Sequence, residues 1–445
     1  MTLQEALEVI ARQERQIEQL LAENQRLRSR IEELERQVAR QAAPFRREES
    51  KKIPPQQQKK PGRKEGHRGA RRQAPRQIDE RIEVPLPSCP ECAGPLEDRS
   101  PLTQIIEELP PVRPRVYRVV TWSGKCAQCG VVHSTHPLQT SRAQGAAGVQ
   151  LGPRARALAI LLNKHLGLPL RRTCQVLEKL CGLRVTPGGV AQLAARSAER
   201  VEPQYQALLD QLRGSDAVHA DETSWYVGNP KWWLWTFATG DTTVYRIEPR
   251  RNAQVVQQTL EDFAGMLVSD CLSSYDPPPY RKHKCIAHHL RAIAKAREHP
   301  DTRDSTYLDR WKKFFQTVLL WHRLRDSLPP EPFAEGRAGL ERTCDQLLAE
   351  PVSQTGDAAV RNRLAKQREH LLGCLEEPAA EPTNNRAERA LRPAVIARKL
   401  SCGNRTVRGK RTFEILASLA ATLAQRRQDF VNWLAPQLTL TPQAG

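Results

Sequence analysis

Three carboxylates stand in settings suited to divalent-metal chemistry. Asp221 closes the apolar run Ala217-Val-His-Ala, and Asp270 closes Gly265-Met-Leu-Val-Ser. A short apolar run ending in an acid reads as a buried strand that delivers its carboxylate to a sheet edge. Glu388 lies in Asn384-Asn385-Arg-Ala-Glu388-Arg389-Ala-Leu-Arg392, which is helical in character. Two adjacent strands ending in Asp crowd two negative charges, which repel unless cations sit between them. Mg2+ takes hard oxygen ligands and keeps waters, leaving room for a phosphate. Two such ions clamp the attacking and leaving oxygens of an in-line displacement. The expected chemistry is therefore phosphoryl transfer with two Mg2+ (or Mn2+) ions held by Asp221, Asp270 and Glu388.

Each acid has a competitor. Glu222 follows Asp221, but strand alternation sends the two to opposite faces. Asp276 precedes Pro277-Pro278-Pro279 and reads as a loop residue, and Glu381 lies before the helix. Taken singly, each acid reads as a solvated surface charge.

A second constellation is sulfur. Cys89-Pro-Glu-Cys92 and Cys126-Ala-Gln-Cys129 flank strand-like sequence from Val116 to Trp122. Two CxxC knuckles offer four thiolates, a set suited to one tetrahedral structural Zn2+. Two matched pairs in one short segment argue against redox-active CxxC. With four sulfurs in place, His133 and His136 read as bystanders. The eleven cysteines do not resemble a secreted disulfide framework, and a reducing intracellular compartment is expected. Cys285-Ile-Ala-His288 reads first as a packing Cys and a His that contacts phosphate or carboxylate, with metal binding as the alternative. Trp225, Trp232, Trp233 and Trp235 read mostly as sheet core, with one able to stack on an unpaired base.

Positioning these residues requires a particular order of elements. Strands are expected at Ala217–Asp221, Lys231–Thr239, Thr242–Ile247 and Gly265–Asp270, with a helix from Asn252 to Phe263. A three-strand meander, a helix and a strand open a ribonuclease-H-like α/β fold. Residues 290–376 read as mostly helical, which makes them an all-α insertion within a catalytic domain spanning 214–395. A C-terminal helical region follows over 396–445. Upstream, 150–213 is helical. A second helix covers Leu170–Leu180, and a third, capped by Thr186-Pro187, runs to about Tyr205. With Arg171 and Arg172 nearby, this is either a helix-turn-helix DNA reader or a bundle leading into the catalytic domain.

The chain has 445 residues, and 69 Lys and Arg against 50 acids set a net charge of +19. Nucleic acid explains such an excess best. No apolar run reaches the roughly 20 residues of a spanning helix, and no signal peptide is visible, so neither a membrane partner nor export is expected. Residues 41–80 form a flexible basic linker with Lys59, Lys60, Arg63 and Lys64 placed to neutralise phosphates. A four-cysteine zinc-binding domain is expected over 81–140. Residues 1–40 carry a heptad with Leu3, Ile10, Ile17, Asn24, Ile31 and Val38 at a, and Ala6, Gln13, Leu20, Leu27 and Leu34 at d. Mostly β-branched a with Leu at d favours a parallel two-stranded coiled coil, and a lone buried Asn24 would set its register. Glu23 facing Arg28 and Arg30 facing Glu35 agree with that pairing. One amphipathic helix packed on its own domain is the plainer alternative.

At three blocks the chain resembles the transposases of the insertion sequence sixty-six family: His219-Ala-Asp-Glu-Thr-Ser-Trp225, Val268-Ser-Asp-Cys-Leu-Ser-Ser-Tyr275, and Asn384 to Pro393 continuing through Arg398-Lys399. The heptad, basic arm and four-cysteine segment match in order, so the similarity covers nearly the whole chain. The resemblance implies a DDE-type enzyme on a ribonuclease-H-like core with a helical insertion. It would bind double-stranded element ends, cleave a strand and join it to target DNA. Arg386, Arg389 and Arg392 flank Glu388 as candidate DNA-binding residues, and at least one of them would reach a DNA phosphate. A homodimer through 1–40, accessory element-encoded proteins and a place at the bacterial nucleoid in the cytoplasm are expected with it. The alternatives are a structure-selective nuclease and a catalytically decayed DNA-binding form. Departures from the family pattern are Cys271 where Gly is usual, Ile286 where Trp is usual, and a less apolar Leu400–Thr406. None removes a carboxylate.

Overall fold

The computed structural model describes residues 75–98, 100–141 and 149–440, together with Leu20, Glu23 and Leu27. Most of the heptad, and all of Lys59, Lys60, Arg63 and Lys64, lie outside the described residues. Leu20, Glu23 and Leu27 are helical and exposed.

The chain divides into two units, Met1–Pro111 and Val112–Gly445. In the first, a tight turn closes at Cys89–Gly94: the Cys89 N–H donates to the Gly94 carbonyl at 3.0 Å, and the Ala93 N–H to the Cys89 carbonyl at 2.9 Å. The second opens with a hairpin of β1 (Ser123–Cys126) and β2 (Gly130–His133). The strand expected over Val116–Trp122 is not formed; those residues are exposed and irregular. The Cys126–Cys129 turn brings the flanking residues together as a ladder, and Gly130 supplies the positive φ of 73° beside it. Trp122 still meets Ser134 beyond the ladder, its carbonyl accepting the Ser134 N–H at 2.9 Å, but Val116 to Thr121 have no such partner among the described residues, and β propensity without one does not make a strand.

Helices α1 (Pro153–Ile160), α2 (Leu170–Cys181), α3 (Pro187–Arg200) and α4 (Glu202–Arg213) precede the main sheet. The Thr186 hydroxyl accepts the Gly189 N–H at 3.1 Å, so α3 starts at its expected cap. It stops at Arg200 rather than near Tyr205. Pro203 lacks the N–H a continuing helix needs, and it sits instead in the first turn of α4.

The main sheet has five strands: β3 (Ala217–Tyr226), β4 (Lys231–Ala238), β5 (Thr243–Glu248), β6 (Met266–Ser269) and β7 (Arg281–Lys284). Its order is β5-β4-β3-β6-β7. The first three form an antiparallel meander, while β6 joins β3 in parallel and β7 joins β6 in parallel. Helix α5 (Ala253–Leu260) makes the crossover. Strand β3 does not end at its acid, because β4 pairs with it as far as Tyr226. Gly265 enters β6 where a Cβ would meet the Asp216 and Ser215 carbonyls at 2.5 Å, so no larger residue fits there.

The sheet separates two apolar layers. Val218 and Ala220 of β3, Trp235 and Phe237 of β4 and Val244 of β5 pack with α1 to α5. The alternate residues Trp225, Leu234, Tyr245 and Ile247 pack against α11 (Asn385–Ser401). Between β7 and α11 the chain forms α6 (Ile286–Ala296), α7 (Thr306–Leu324), α8 (Pro330–Ala349), α9 (Thr355–Lys366) and α10 (Gly373–Glu376). These five helices share a separate core around Trp311, Phe314 and Phe315. Helix α12 (Val407–Gln425) lies along the outer edge of β5, and α13 (Phe430–Gln437) follows it. Glu414, Ser418 and Thr422, one turn apart on α12, accept the free N–H groups of Ile247 (2.6 Å), Tyr245 (2.8 Å) and Thr243 (3.0 Å). A helix therefore caps the edge that another chain would otherwise pair with.

Candidate active site

Strand register brings the first two acids together. Ala217, Val218 and His219 of β3 stand opposite Met266, Leu267 and Val268 of β6. The same offset carried forward sets Asp221 level with Asp270, one residue beyond the end of β6. Adjacent strands lie about 4.8 Å apart, and residues at one level of a parallel pair share a face. Asp221 sits where β3 outruns β6, its Oδ1 accepting the Glu222 N–H at 2.9 Å. Asp270 opens the following loop, its Oδ1 accepting the Leu272 N–H at 2.9 Å.

The third acid arrives on α11. Asn384, buried just before that helix, donates from Nδ2 to the Ala220 carbonyl at 2.8 Å, and its N–H donates to Cys285 Sγ at 3.1 Å. The helix start is thereby pinned to the backbone that precedes Asp221. One turn on, Glu388 faces Arg291 of α6 at 3.5 Å. Its charge is felt at Asp221. Burial raises the Asp221 carboxyl most, the negative charges of Glu222, Asp270 and Glu388 add to it, and the pKa is pushed up to about 7. Asp221 and Asp270 have no cationic partner among the described residues. The three competitors all have one: Glu222 pairs with Arg251 (2.6 Å), Asp276 with Lys284 (2.9 Å) and Glu381 with Arg386 (2.6 Å).

His288 adjoins the acids. Burial lowers its pKa and so does Arg291, while Asp270 and Glu388 work in the other direction. Cys285 packs under Asn384. Arg386 is engaged within the fold, donating to the Thr239 carbonyl at 2.9 Å as well as to Glu381. Arg389 and Arg392, on the same helix, are exposed, as are Arg171 and Arg172 on α2. Trp225 and Trp235 are core residues, and Trp225 also donates to Asn404 Oδ1 at 2.9 Å. Sequence reasoning missed β7. Arg281-Lys-His-Lys carries no apolar signal, yet His283 and Lys284 are fully buried in it.

The two cysteine pairs fall in different units. Backbone N–H groups lower the Cys89 thiol pKa, Cys92's first and Glu91's second; those of Cys129 and Gln128 do the same for Cys126. Such knuckles favour the thiolate that a metal requires. No group of three or more His, Cys, Asp or Glu side chains among the described residues is gathered closely enough to hold a metal ion. The donor chemistry nonetheless suits a hard cation at Asp221, Asp270 and Glu388, which present only oxygen and leave two charges unanswered. No helix among the described residues is long and apolar enough to cross a membrane.

Comparison with known proteins gives a family match whose span includes Asp221, Asp270 and Glu388 but not the two cysteine pairs. The family model described as "Transposase IS66 family" matches residues 148–412. The chain is 26% identical over 423 residues to "Uncharacterized protein y4qI" of Sinorhizobium fredii (strain NBRC 101917 / NGR234), covering 82% of this chain and 72% of that one. It is 24% identical over 395 residues to "Uncharacterized protein y4jD" of the same strain, covering 80% and 75%.

Proposed function

The chain belongs to the IS66 transposase family, a family of DNA-processing enzymes, and on that premise we propose that Asp221, Asp270 and Glu388 form a DDE site for strand cleavage and joining on a ribonuclease-H-like core. The observation that carries this reading is the parallel register of β3 and β6, which carried forward sets Asp221 level with Asp270 just past the end of β6, both acids being without a cationic partner among the described residues.

Asp221 and Asp270 would hold two Mg2+ (or Mn2+) ions from the sheet, and Glu388 would close the site from α11. Bound there, such ions would stabilise charge on the attacking and leaving oxygens of a phosphate. Asn384 keeps the helix registered on β3. Arg389 and Arg392 lie exposed beside Glu388 and would grip the DNA backbone. In the first step water attacks phosphorus, the P–O3′ bond breaks and a 3′ hydroxyl is left. In the second, that hydroxyl attacks a target phosphodiester and displaces its 3′ oxygen. The exposed Arg171 and Arg172, and the basic arm with Lys59, Lys60, Arg63 and Lys64, would add phosphate contacts on double-stranded DNA.

The test is cleavage and joining of element-end duplex by the full chain in Mg2+ or Mn2+. Asp221→Ala, Asp270→Ala and Glu388→Ala are each expected to lower the rate at least about a thousandfold while the duplex is still bound. Undiminished cleavage in any of the three overturns the assignment. Hydrolysis that never proceeds to joining of pre-cut ends would favour the nuclease reading.

A further inference from the structure

Strand β6 stops at Ser269, so the sheet ladder does not hold Asp270; the loop after it has to be held by side chains. We propose that Glu222, Tyr275 and Arg251 form a positioning clamp on the far face of β3, which sets the separation of Asp221 and Asp270 for divalent metal. The proposal rests on the reading of these two acids as metal ligands.

Glu222 follows Asp221 and therefore faces the opposite side of the sheet. Its carboxylate is buried and takes three donors: Tyr275 Oη at 2.5 Å, and Arg251 Nε and Nη2 at 3.1 and 2.6 Å. Charge-assisted bonds of this kind are short and directional. Tyr275 belongs to the Asp270 loop, so its hydroxyl joins that loop directly to the residue next to Asp221. Its ring is fully buried, meeting Trp235 edge-on at 5.8 Å, and Trp235 is the residue opposite Glu222 in the β3–β4 register.

Arg251 holds the same loop a second time. Its carbonyl accepts the Ser274 hydroxyl at 3.1 Å, while its guanidinium lies over Trp233 at 4.5 Å. A third tie comes from Lys284 at the end of β7. It is fully buried, bonds Asp276 at 2.9 Å and lies 5.7 Å from the Tyr275 ring centre. The loop is thus fixed to β3, to the segment before α5 and to β7, all on the side away from the Asp221 carboxylate. A carboxylate held by its own backbone hydrogen bond on so anchored a loop has little freedom to shift relative to its neighbour. Glu222 is a positioning residue in this arrangement, not a ligand.

The test uses Mn2+ alone as probe, its binding to the full chain followed by electron paramagnetic resonance. Tyr275→Phe removes one hydroxyl and keeps the ring. Tyr205→Phe is the control, since it removes another buried hydroxyl, bonded to the Tyr245 carbonyl at 3.1 Å, outside the clamp. The expected result is Mn2+ binding weakened about tenfold in Tyr275→Phe and unchanged in Tyr205→Phe, with similar losses of melting temperature in both. Glu222→Gln, which keeps side-chain volume, is expected to weaken binding in the same direction and serves if Tyr275→Phe does not fold. Unchanged affinity in Tyr275→Phe, or an equal loss in Tyr205→Phe, overturns the clamp. Asp221→Ala separates the two levels. If it abolishes Mn2+ binding while Tyr275→Phe leaves it intact, only the clamp falls. If it leaves binding intact, the metal-site reading falls as well.

Discussion

Asp221 holds its proton more tightly in the folded chain than in the unfolded one, because burial and three neighbouring carboxylates oppose its charge. Its ordinary value is 3.8 and its folded value about 7. The stability it contributes is fully present below the unfolded value and is lost as pH rises through the folded one. Metal-free Asp221→Asn, which cannot ionise, is therefore expected to melt several degrees above the parent chain at about pH 8. That difference should shrink toward zero near about pH 4. Thermal melts in a chelator across this range check it, and a pH-independent difference would remove the electrostatic account. Metal must displace the same proton, so Mn2+ affinity should rise with pH up to about 7 and then level. Asp221 and Glu222 are adjacent acids that strand alternation and the family resemblance of the His219–Trp225 block separate in the sequence. The structure separates them by partners as well, since Glu222 has Arg251 and Tyr275 while Asp221 has no cation among the described residues.

At the scale of elements, the site depends on how α11 is seated on the sheet. Asn384→Ala removes the bond to the Ala220 carbonyl in a buried setting and should lower unfolding free energy by about 1–3 kcal/mol. Strand cleavage should fall by more than that loss of stability explains, while DNA binding holds, because Glu388 is carried by the loosened helix. Denaturant titration beside cleavage and binding assays distinguishes the two effects. The turn from α11 into α12 is equally constrained. Gly403 has φ of +93°, and a Cβ there would meet the Tyr226 carbonyl at 2.5 Å. Gly403→Ala should cost about 1–3 kcal/mol through backbone strain, read as a lower denaturant midpoint. Periodicity revealed β4, β5 and α5 to within a residue or a few of their observed ends. It did not reveal β7, whose basic residues become a strand only because β6 offers a parallel edge and Asp276 answers Lys284.

At the scale of the molecule, the described part of the second unit is a mixed α/β body with a helical segment interposed between β7 and α11. The heptad over 1–40 and the four-cysteine segment over 81–140 remain proposals of the sequence pattern. Deleting 1–40 is expected to lower the solution mass toward that of a monomer, measured by light scattering; an unchanged mass would mean the heptad packs within its own chain. Metal analysis should find about one zinc per chain, lost in the Cys89→Ser, Cys126→Ser double variant. Zinc retained in that variant would exclude the four-thiolate assignment.

The sequence by itself determined the family, the three acid-bearing blocks and the alternation of strand and helix around two of them. These rest on local patterns: apolar runs that end in acids, period-two alternation and turn residues. The tertiary structure alone decided which acids lack a cationic partner among the described residues. Ion pairing depends on how separate segments meet in space, as Glu222 of β3 with Arg251 before α5, Asp276 of a loop with Lys284 of β7, and Glu381 before α11 with Arg386 on it show. It also decided that β3 runs on past Asp221 and that a basic tetrapeptide is a buried strand, because a strand exists only where a neighbour supplies its hydrogen bonds.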